Sequence, residues 1–286
     1  MSLFLERLAA FIKEQDYNVL RIAEICNGGA PESLDLQLCN PCQNTYSVAK
    51  AFVVTAVGLL IDRGRLNVTD RVTEILADLL PEGMDPRWRD ATVDDVLLHR
   101  CGLPGGFLDI DVNDIQAYGR DFLRYLFTYP LPDAPGTERR YTDGAYYLLS
   151  RIVEQVAGKP LDTFLWEEML FDIGFQELSW AHCPMGHPMG ATGMYIRTAD
   201  MAKLGEIYRT GGCYGGRRYL SEEWVRFALS RPYELSPNEG GRSFSKGGMC
   251  GQNLLVVPAQ NRVVAWHAYE RTDNGVLTRW IEDYTE

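Results

Sequence analysis

Ser47 and Lys50 lie three positions apart in "YSVAK" (residues 46–50), at the start of a strongly apolar run. This spacing places two side chains on the same side of a helix, so the lysine could accept the serine proton and make the hydroxyl a nucleophile. The N–H groups of a first helical turn could then stabilise a developing oxyanion. The alternative is an ordinary helix start, in which Ser47 caps the helix and Lys50 is solvated.

The Ser-x-x-Lys spacing alone is weak evidence, because two common residues match it by chance. Ser243 and Lys246 in "SFSK" also match it. A glycine-rich segment, "KGGMCG", overlaps this second pair, and no helix start is indicated there, so we expect it to be incidental. The apolar residues after Ser47 instead predict a rigid central helix from Ser47 to Gly64.

The pattern of elements predicts an α/β (α+β) architecture in which both chain ends contribute to one sheet. A helix is expected at residues 3–14, strands at 17–26 and 33–39, and charged helical segments up to about residue 205. Two β-rich runs around "PAQN" and a short helix in "NGVLTRWIEDY" follow. We therefore expect a sheet domain of residues 1–64 and 206–286, a mostly helical domain of residues 65–205, and a site in the cleft between them.

The net charge of -11 argues against nucleic-acid or anionic-membrane partners. A small molecule or short peptide is the expected partner, and the oligomeric state is not indicated. Charged residues interrupt the amino-terminal apolar positions, so no signal-peptide core is seen and a cytoplasmic location is expected. The apolar core from Ala51 to Ile61 is too short to span a bilayer.

Seven scattered cysteines favour reduced thiols. Cys39 and Cys42 in "LCNPCQ" could act in redox chemistry, or could join residues of "HCPMGH" (182–187) in a zinc site, but two unlinked thiols are the simpler interpretation. A Ser-His-Asp triad is not indicated, because the sequence contains no Gly-x-Ser-x-Gly motif that would present its serine. The four histidines (His99, His182, His187 and His267) are therefore interpreted as structural.

Four further segments follow "YSVAK" in the chain: "DDVLLHRCGLPGG" (94–106), "APGTERRYTDGAYYLLSRIVEQVAGKPLDTFL" (134–165), "GMYIRTADMAKLGEIYRTGG" (193–212) and "FSKGGMCGQNLLVVPAQNRVVAW" (244–266). Together the five segments closely resemble the serine β-lactamase and penicillin-binding-protein superfamily, on the branch of class C β-lactamases, D,D-peptidases and family VIII carboxylesterases. The resemblance covers roughly residues 44 to 270. It implies an antiparallel sheet flanked by helices, formed by both chain ends, beside an inserted helical domain.

The resemblance assigns catalytic roles to Ser47, Lys50, Tyr141 and Lys246. Ser47 would be acylated, with Lys50 serving as or assisting the base. Tyr141 matches the tyrosine of the family's Tyr-x-Asn motif, whose phenol is thought to pass a proton to the leaving group. Two lysines nearby would favour its tyrosinate form.

The family's Lys-Thr-Gly position is occupied by Lys246, Gly247 and Gly248. Lys246 would lie on the strand that lines the site, with Gly247 and Gly248 against the substrate. The resemblance also implies that the backbone N–H groups of Ser47 and Met249 form the oxyanion hole, in which each donor can contribute about 3 kcal/mol.

Two departures from the family pattern bear on the substrate. Asp143 replaces the asparagine of Tyr-x-Asn, and an ionised carboxylate cannot donate to an acylamino carbonyl. Gly247 replaces the threonine that helps to hold a substrate carboxylate, although Lys246 alone could still attract an anion. Asp143 could instead pair with a substrate ammonium group, or could only neutralise Lys50 and Lys246.

These features predict a serine hydrolase that acts through an acyl-enzyme on a small ester, amide or peptide. It would be an esterase or a D-amino-acid peptidase with weak or no β-lactamase activity, and would need no metal or organic cofactor. The alternative is a catalytically impaired binding protein that keeps the cleft.

Overall fold

The computed structural model describes residues 2–231 and 233–285. Its α-helices are α1 (Leu3–Glu14), α2 (Ala49–Asp62), α3 (Val72–Ile75), α4 (Val93–Leu97), α5 (Phe122–Thr128), α6 (Asp143–Ala157), α7 (Leu161–Leu165), α8 (Thr198–Arg209), α9 (Glu222–Ser230) and α10 (Asn274–Asp283). Its strands are β1 (Val19–Cys26), β2 (Glu32–Asp35), β3 (Cys42–Asn44), β4 (Ser179–Trp180), β5 (Met194–Arg197), β6 (Cys213–Tyr214), β7 (Arg217–Arg218), β8 (Ser236–Pro237), β9 (Phe244–Gly247), β10 (Asn253–Val257) and β11 (Arg262–Ala268).

A six-stranded sheet forms the centre of the first of two compact units, which comprises Met1–Ala51, Met169–Ser179 and Met194–Glu286. The strand order is β2-β1-β11-β10-β9-β8, and neighbouring strands are antiparallel. The two chain ends meet where β1 pairs with β11. Every residue of β11 is buried, as expected for a central strand that is covered on both faces. The predicted antiparallel sheet formed by both chain ends is confirmed.

Helices α1 and α10 cover one face of this sheet. The Ser2 side chain accepts a hydrogen bond from the Leu5 N–H and caps α1, which satisfies one of the free donors of its first turn. The apolar side chains of α1 recur at helical spacing, so they form a single stripe towards the strands. The buried cluster on this face includes Phe4, Leu5, Leu8, Ile12, Ile22, Leu255, Val264, Trp266, Leu277 and Ile281.

Helix α8 covers the opposite face and approaches it closely at Gly205. A methyl group at Gly205 would lie 2.6 Å from Val263 Cγ1 and 2.9 Å from Leu254 Cδ1, so only glycine allows this distance between helix and sheet. Leu254 pairs with Lys246 in the neighbouring strand. Residues that are directly opposite in antiparallel strands share a face, so Lys246 lies on the α8 face of the sheet.

The second unit comprises Phe52–Glu168 and Trp180–Gly193 and is built around α6. The first part of this helix, from Asp143 to Val153, is buried, and α3, α4 and α7 pack against it. Gly158 ends the helix in the left-handed conformation, with φ of 75°, which glycine adopts without strain. The helix thus fixes the position of Asp143 at its first turn.

The division between the units differs from the predicted boundaries at residues 64 and 205. It falls within α2, after Ala51, and the segments Met169–Ser179 and Met194–Arg209 belong with the sheet. The strand β5 pairs antiparallel with β3, although the sequence predicted only helices in this region. Four residues are too few for an alternating pattern to identify a strand.

Several predicted elements are confirmed, including the helix at residues 3–14, the two strands around "PAQN" and the carboxy-terminal helix. The second predicted strand is shorter than expected and ends at Asp35. Within the described residues, no helix combines the length and the apolar character needed to cross a bilayer. The cytoplasmic location stays a prediction.

Candidate active site

Ser47 and Lys50 are in direct contact, with Lys50 Nζ 2.9 Å from Ser47 Oγ. Ser47 lies in a 3₁₀ turn, Tyr46–Val48, that runs directly into α2, rather than in the α-helix itself as predicted. The Lys50 side chain is completely buried, so the alternative of an ordinary helix start with a solvated lysine is wrong. Because burial disfavours a charge on an amine, this arrangement suits a proton acceptor beside the hydroxyl.

The residue before Ser47 adopts a backbone conformation that is uncommon for a bulky side chain. Tyr46 has φ of 46°, a conformation that costs about 1–3 kcal/mol and persists only where surrounding contacts impose it. The Tyr46 N–H donates to Asn44 Oδ1 at 2.9 Å, and the Thr45 N–H donates to the Met194 carbonyl at 2.8 Å. Strand β5, which begins at Met194, therefore helps to hold the turn that presents Ser47.

The end of β9 lies against this turn at Gly248. A Cβ at Gly248 would lie 2.4 Å from the Thr45 carbonyl oxygen and 3.3 Å from the Ser47 nitrogen. A real side chain cannot occupy that space, so the residue must be glycine for the strand to reach Ser47. The Gly248 N–H donates to the Gln252 carbonyl at 2.8 Å and closes the turn that follows.

Met249 follows Gly248 in that turn. Among the described residues, neither the Ser47 N–H nor the Met249 N–H donates to a backbone carbonyl outside its own turn. Cys250 has φ of 59°, and its carbonyl accepts from the Glu270 N–H at 3.0 Å. The chain thus reverses directly after Met249, and the oxyanion hole assigned to the two N–H groups stays a prediction.

Lys246 forms an ion pair with Glu234, which the sequence analysis did not identify. Both residues are largely buried, with 9% and 7% of their surfaces exposed. The expectation that Lys246 alone would attract an anion is therefore incomplete. The segment around Glu234 matches no motif, and the one available signal was a carboxylate between two apolar residues in "PYELSP".

Gly247 lies on the opposite face of β9 from Lys246. A Cβ there would point to Asn253 Oδ1 and Asn274 Nδ2, each 3.7 Å away. The three residues help to line a cavity of about 530 Å³. A threonine at this position would therefore project towards the α10 face of the sheet.

Ser243 does not pair with Lys246 through the second Ser-x-x-Lys match. Its hydroxyl donates to Glu282 Oε1 at 2.5 Å and accepts from Asn238 Nδ2 at 2.7 Å. In a strand, residues three apart lie on opposite faces. The interpretation of this match as incidental is confirmed.

Tyr141 belongs to the helical unit, where His99 holds the backbone on both sides of it. The Thr142 N–H donates to His99 Nδ1 at 3.2 Å, and the Arg140 N–H donates to the His99 carbonyl at 2.9 Å. The Tyr141 and His99 ring centroids are 4.5 Å apart, and 39% of Tyr141 is exposed. These contacts agree with a structural role for His99.

Asp143 is the first residue of α6 and is 6% exposed. Carboxylate oxygens of Asp109, Asp111 and Asp143 lie within 4.8 Å of one another. Three carboxylates at this distance create a strongly negative local potential. The sequence analysis identified Asp143 but not its two acidic neighbours, which lie in a loop more than 30 positions earlier.

The proposed zinc alternative is not supported. In the described part of the chain, the only group of three or more side chains suited to hold a metal ion is the Asp109, Asp111 and Asp143 group, which contains no cysteine or histidine. Burial, followed by a hydrogen bond to Glu177, raises the pKa of Cys42 to about 12, so this thiol is a poor metal ligand.

The three remaining histidines have structural partners. His182 Nε2 lies 2.9 Å from Asp162 Oδ2, His187 Nδ1 lies 2.8 Å from Glu154 Oε2, and His267 Nδ1 lies 2.7 Å from the Thr198 hydroxyl. Burial, with a smaller effect from Arg21, lowers the pKa of His267 to about 3. It is therefore neutral at ordinary pH, as a buried structural histidine should be.

The close approach at Gly248 predicts a contrast between two adjacent glycines. Gly248→Ala should lower the free energy of unfolding by about 1–3 kcal/mol, because its methyl group meets the Thr45 carbonyl. The matched control Gly247→Ala should change it by less than about 0.5 kcal/mol, because its methyl group has space. Urea unfolding measures both values. Equal stability of the two variants would contradict the described packing.

Comparison with known proteins agrees with this geometry. The family model described as Beta-lactamase matches residues 43–280. N-acetylmuramyl-L-alanine amidase of Bacillus subtilis is 34% identical over 132 residues, which are 44% of this chain and 29% of that protein. The 6-aminohexanoate-dimer hydrolase of Paenarthrobacter ureafaciens is 25% identical over 258 residues, 76% of this chain and 64% of the relative. The chain thus spans less than two thirds of either relative.

A solved structure of a family VIII carboxylesterase superposes with a TM-score of 0.72 at 15% identity, over 96% of this chain and 95% of that one. At this identity the similarity concerns the fold alone. The family model, in contrast, covers most of the chain and includes the Ser47, Lys50, Tyr141 and Lys246 positions. The chain therefore belongs to the Beta-lactamase family, as the order of its motifs predicted.

Proposed function

We propose that this protein is a serine hydrolase that acts through an acyl-enzyme on a small ester, amide or short peptide. The observation that carries the proposal is the 2.9 Å contact between Ser47 Oγ and the amine of the fully buried Lys50. The relatives named as an amidase and as a dimer hydrolase support a hydrolytic reaction.

In the proposed reaction, Lys50 takes the proton of Ser47 Oγ as the oxygen attacks the substrate carbonyl. The N–H groups of Ser47 and Met249 stabilise the oxyanion that forms. The leaving group departs with a proton from Tyr141, to which the family resemblance assigns this role, and the proton taken from Ser47 replaces it. Water then attacks the acyl carbon and gives a proton to Lys50. Lys50 passes that proton to Ser47 Oγ as the acyl–oxygen bond breaks, and the carboxylic acid product leaves.

The family resemblance assigns Asp143 to substrate binding, where it would favour a substrate with a free ammonium group near its acyl carbon. An ionised carboxylate cannot donate to the carbonyl of an acylamino group, but it attracts a cation. Asp109 and Asp111 lie beside it and strengthen the negative potential. This reading supports an aminoacyl esterase, amidase or peptidase, with penicillins as poor substrates.

Labelling of Ser47 tests the proposed nucleophile. The wild-type protein should gain the mass of one fluorophosphonate group and should turn over p-nitrophenyl acetate, because Lys50 activates the hydroxyl. Ser47→Ala should show neither the adduct nor turnover. Intact-mass spectrometry and absorbance measure the two results, and benzylpenicillin should leave no stable adduct on the wild type.

Ser243→Ala is the matched control, since it removes the serine of the second Ser-x-x-Lys match. It should retain the adduct and the turnover of the wild type. An adduct that persists in Ser47→Ala would place the nucleophile elsewhere. Absence of both adduct and turnover in the folded wild type would instead favour a binding protein that has lost catalysis.

Asp143→Asn tests the preference for a free amine. The substitution keeps the shape but removes the charge, so kcat/KM for an aminoacyl p-nitroanilide relative to its N-acetyl derivative should fall about tenfold. Stopped assays with both substrates give this ratio for the wild type and the variant. An unchanged ratio would contradict the proposed role of Asp143 in binding a substrate ammonium group.

A further inference from the structure

The buried ion pair between Lys246 and Glu234 changes the charge of the candidate site. Both residues belong to the sheet unit, and each is more than nine-tenths buried. Lys246 is the penultimate residue of β9, which ends at Gly247, and the following Gly248 lies against the Ser47 nitrogen. Glu234 thus places a carboxylate on the one lysine that this strand contributes near the nucleophile.

The protein backbone holds Glu234 in position for this contact. Glu234 has φ of 65°, and the Leu235 N–H donates to the Tyr233 carbonyl at 2.8 Å across it. Such a three-residue turn is rare and strained for a residue with a side chain. Tyr233 and Leu235 are each 1% exposed. The Tyr233 ring packs against Trp224 of α9, with 6.0 Å between the ring centroids. Buried apolar neighbours on both sides therefore impose the conformation that directs this carboxylate to Lys246.

A paired ammonium and carboxylate have no net charge. An anionic group that approaches Lys246 is attracted by the ammonium and repelled by the carboxylate at nearly the same distance, so the two effects largely offset each other. A lysine without such a partner would attract the anion. A site with this pair consequently suits substrates that are neutral or cationic at the position facing Lys246.

We propose that Glu234 is a specificity-determining positioning residue, which holds Lys246 and cancels its attraction for anionic substrates. The inference rests on the proposed hydrolase function and names its substrate class, which is esters, amides or peptides without an anionic group next to Lys246. It is independent of the Asp143 argument, because Asp143 belongs to the other unit of the chain. Glu234 acts through Lys246 and need not touch the substrate.

Two esters that differ in one charge test the proposal, 4-acetoxybenzoate and methyl 4-acetoxybenzoate. The wild type should favour the neutral ester. Glu234→Gln should raise kcat/KM for the anionic ester relative to the neutral one about tenfold, mainly through a lower KM, because a net positive charge then faces the substrate. The ratio between the two proteins cancels the difference in intrinsic reactivity of the esters.

Three further variants control the result. Glu234→Gly removes the carboxylate but suits the positive φ, so it should show the same change even where Glu234→Gln folds poorly. Glu234→Asp keeps the negative charge, so its ratio of kcat/KM values should be closer to that of the wild type than the ratio of Glu234→Gln or Glu234→Gly. Glu239→Gln removes one exposed negative charge nearby and should leave the ratio unchanged.

An unchanged ratio in folded Glu234→Gln and Glu234→Gly, with both esters still turned over, would overturn the proposal but not the hydrolase function. Absence of turnover in the wild type would instead contradict the proposed function. In that case, calorimetric titration with 4-hydroxybenzoate and its methyl ester decides the matter. The proposal predicts that the acid binds more tightly to Glu234→Gln than to the wild type, and equal affinities would overturn it.

Discussion

The contact between the Ser47 hydroxyl and the buried Lys50 amine depends on a chain path that the rest of the sheet unit must maintain. Lys50 is completely buried, so the helix that carries it has to begin inside packed structure rather than at the surface. The strained Tyr46, the hydrogen bond from Thr45 to Met194 and the close approach of Gly248 each constrain the turn before that helix. Strain of this kind persists only where surrounding contacts over-determine the backbone.

Each unit of the chain carries its own arrangement of charged residues. Lys246 is paired with Glu234, and the helical unit carries Asp143 with Asp109 and Asp111 as neighbours. In the proposed hydrolase, neither feature would favour the carboxylate of a penicillin, and both would favour a neutral or cationic substrate. The net charge of -11 adds a long-range field with the same preference.

The sequence predicted the features that local patterns specify. Ser47 and Lys50 are three residues apart in one continuous turn and helix, so their contact follows from spacing. The strands around "PAQN" were predicted from the continuous apolar runs that flank this turn. The structure places Asn261 of the turn in the left-handed conformation. The order of helices and strands predicted a sheet formed by both chain ends, and the family resemblance implied the same sheet.

Features that depend on distant residues could not be predicted in this way. Glu234 reaches Lys246 from a loop without a motif, and Asp109 and Asp111 reach Asp143 from a separate loop. Strand β5 is too short to show alternation, and its pairing with β3 shifted the boundary between the units. The face on which Gly247 lies also required the register of β9 with β10.

A crystal structure of the protein after reaction with a fluorophosphonate tests the proposed nucleophile and oxyanion hole together. We predict continuous density from Ser47 Oγ to phosphorus, with the phosphoryl oxygen about 2.7–3.1 Å from the Ser47 and Met249 nitrogens. Density on a different side chain, or a phosphoryl oxygen directed away from both nitrogens, would contradict the proposed chemistry.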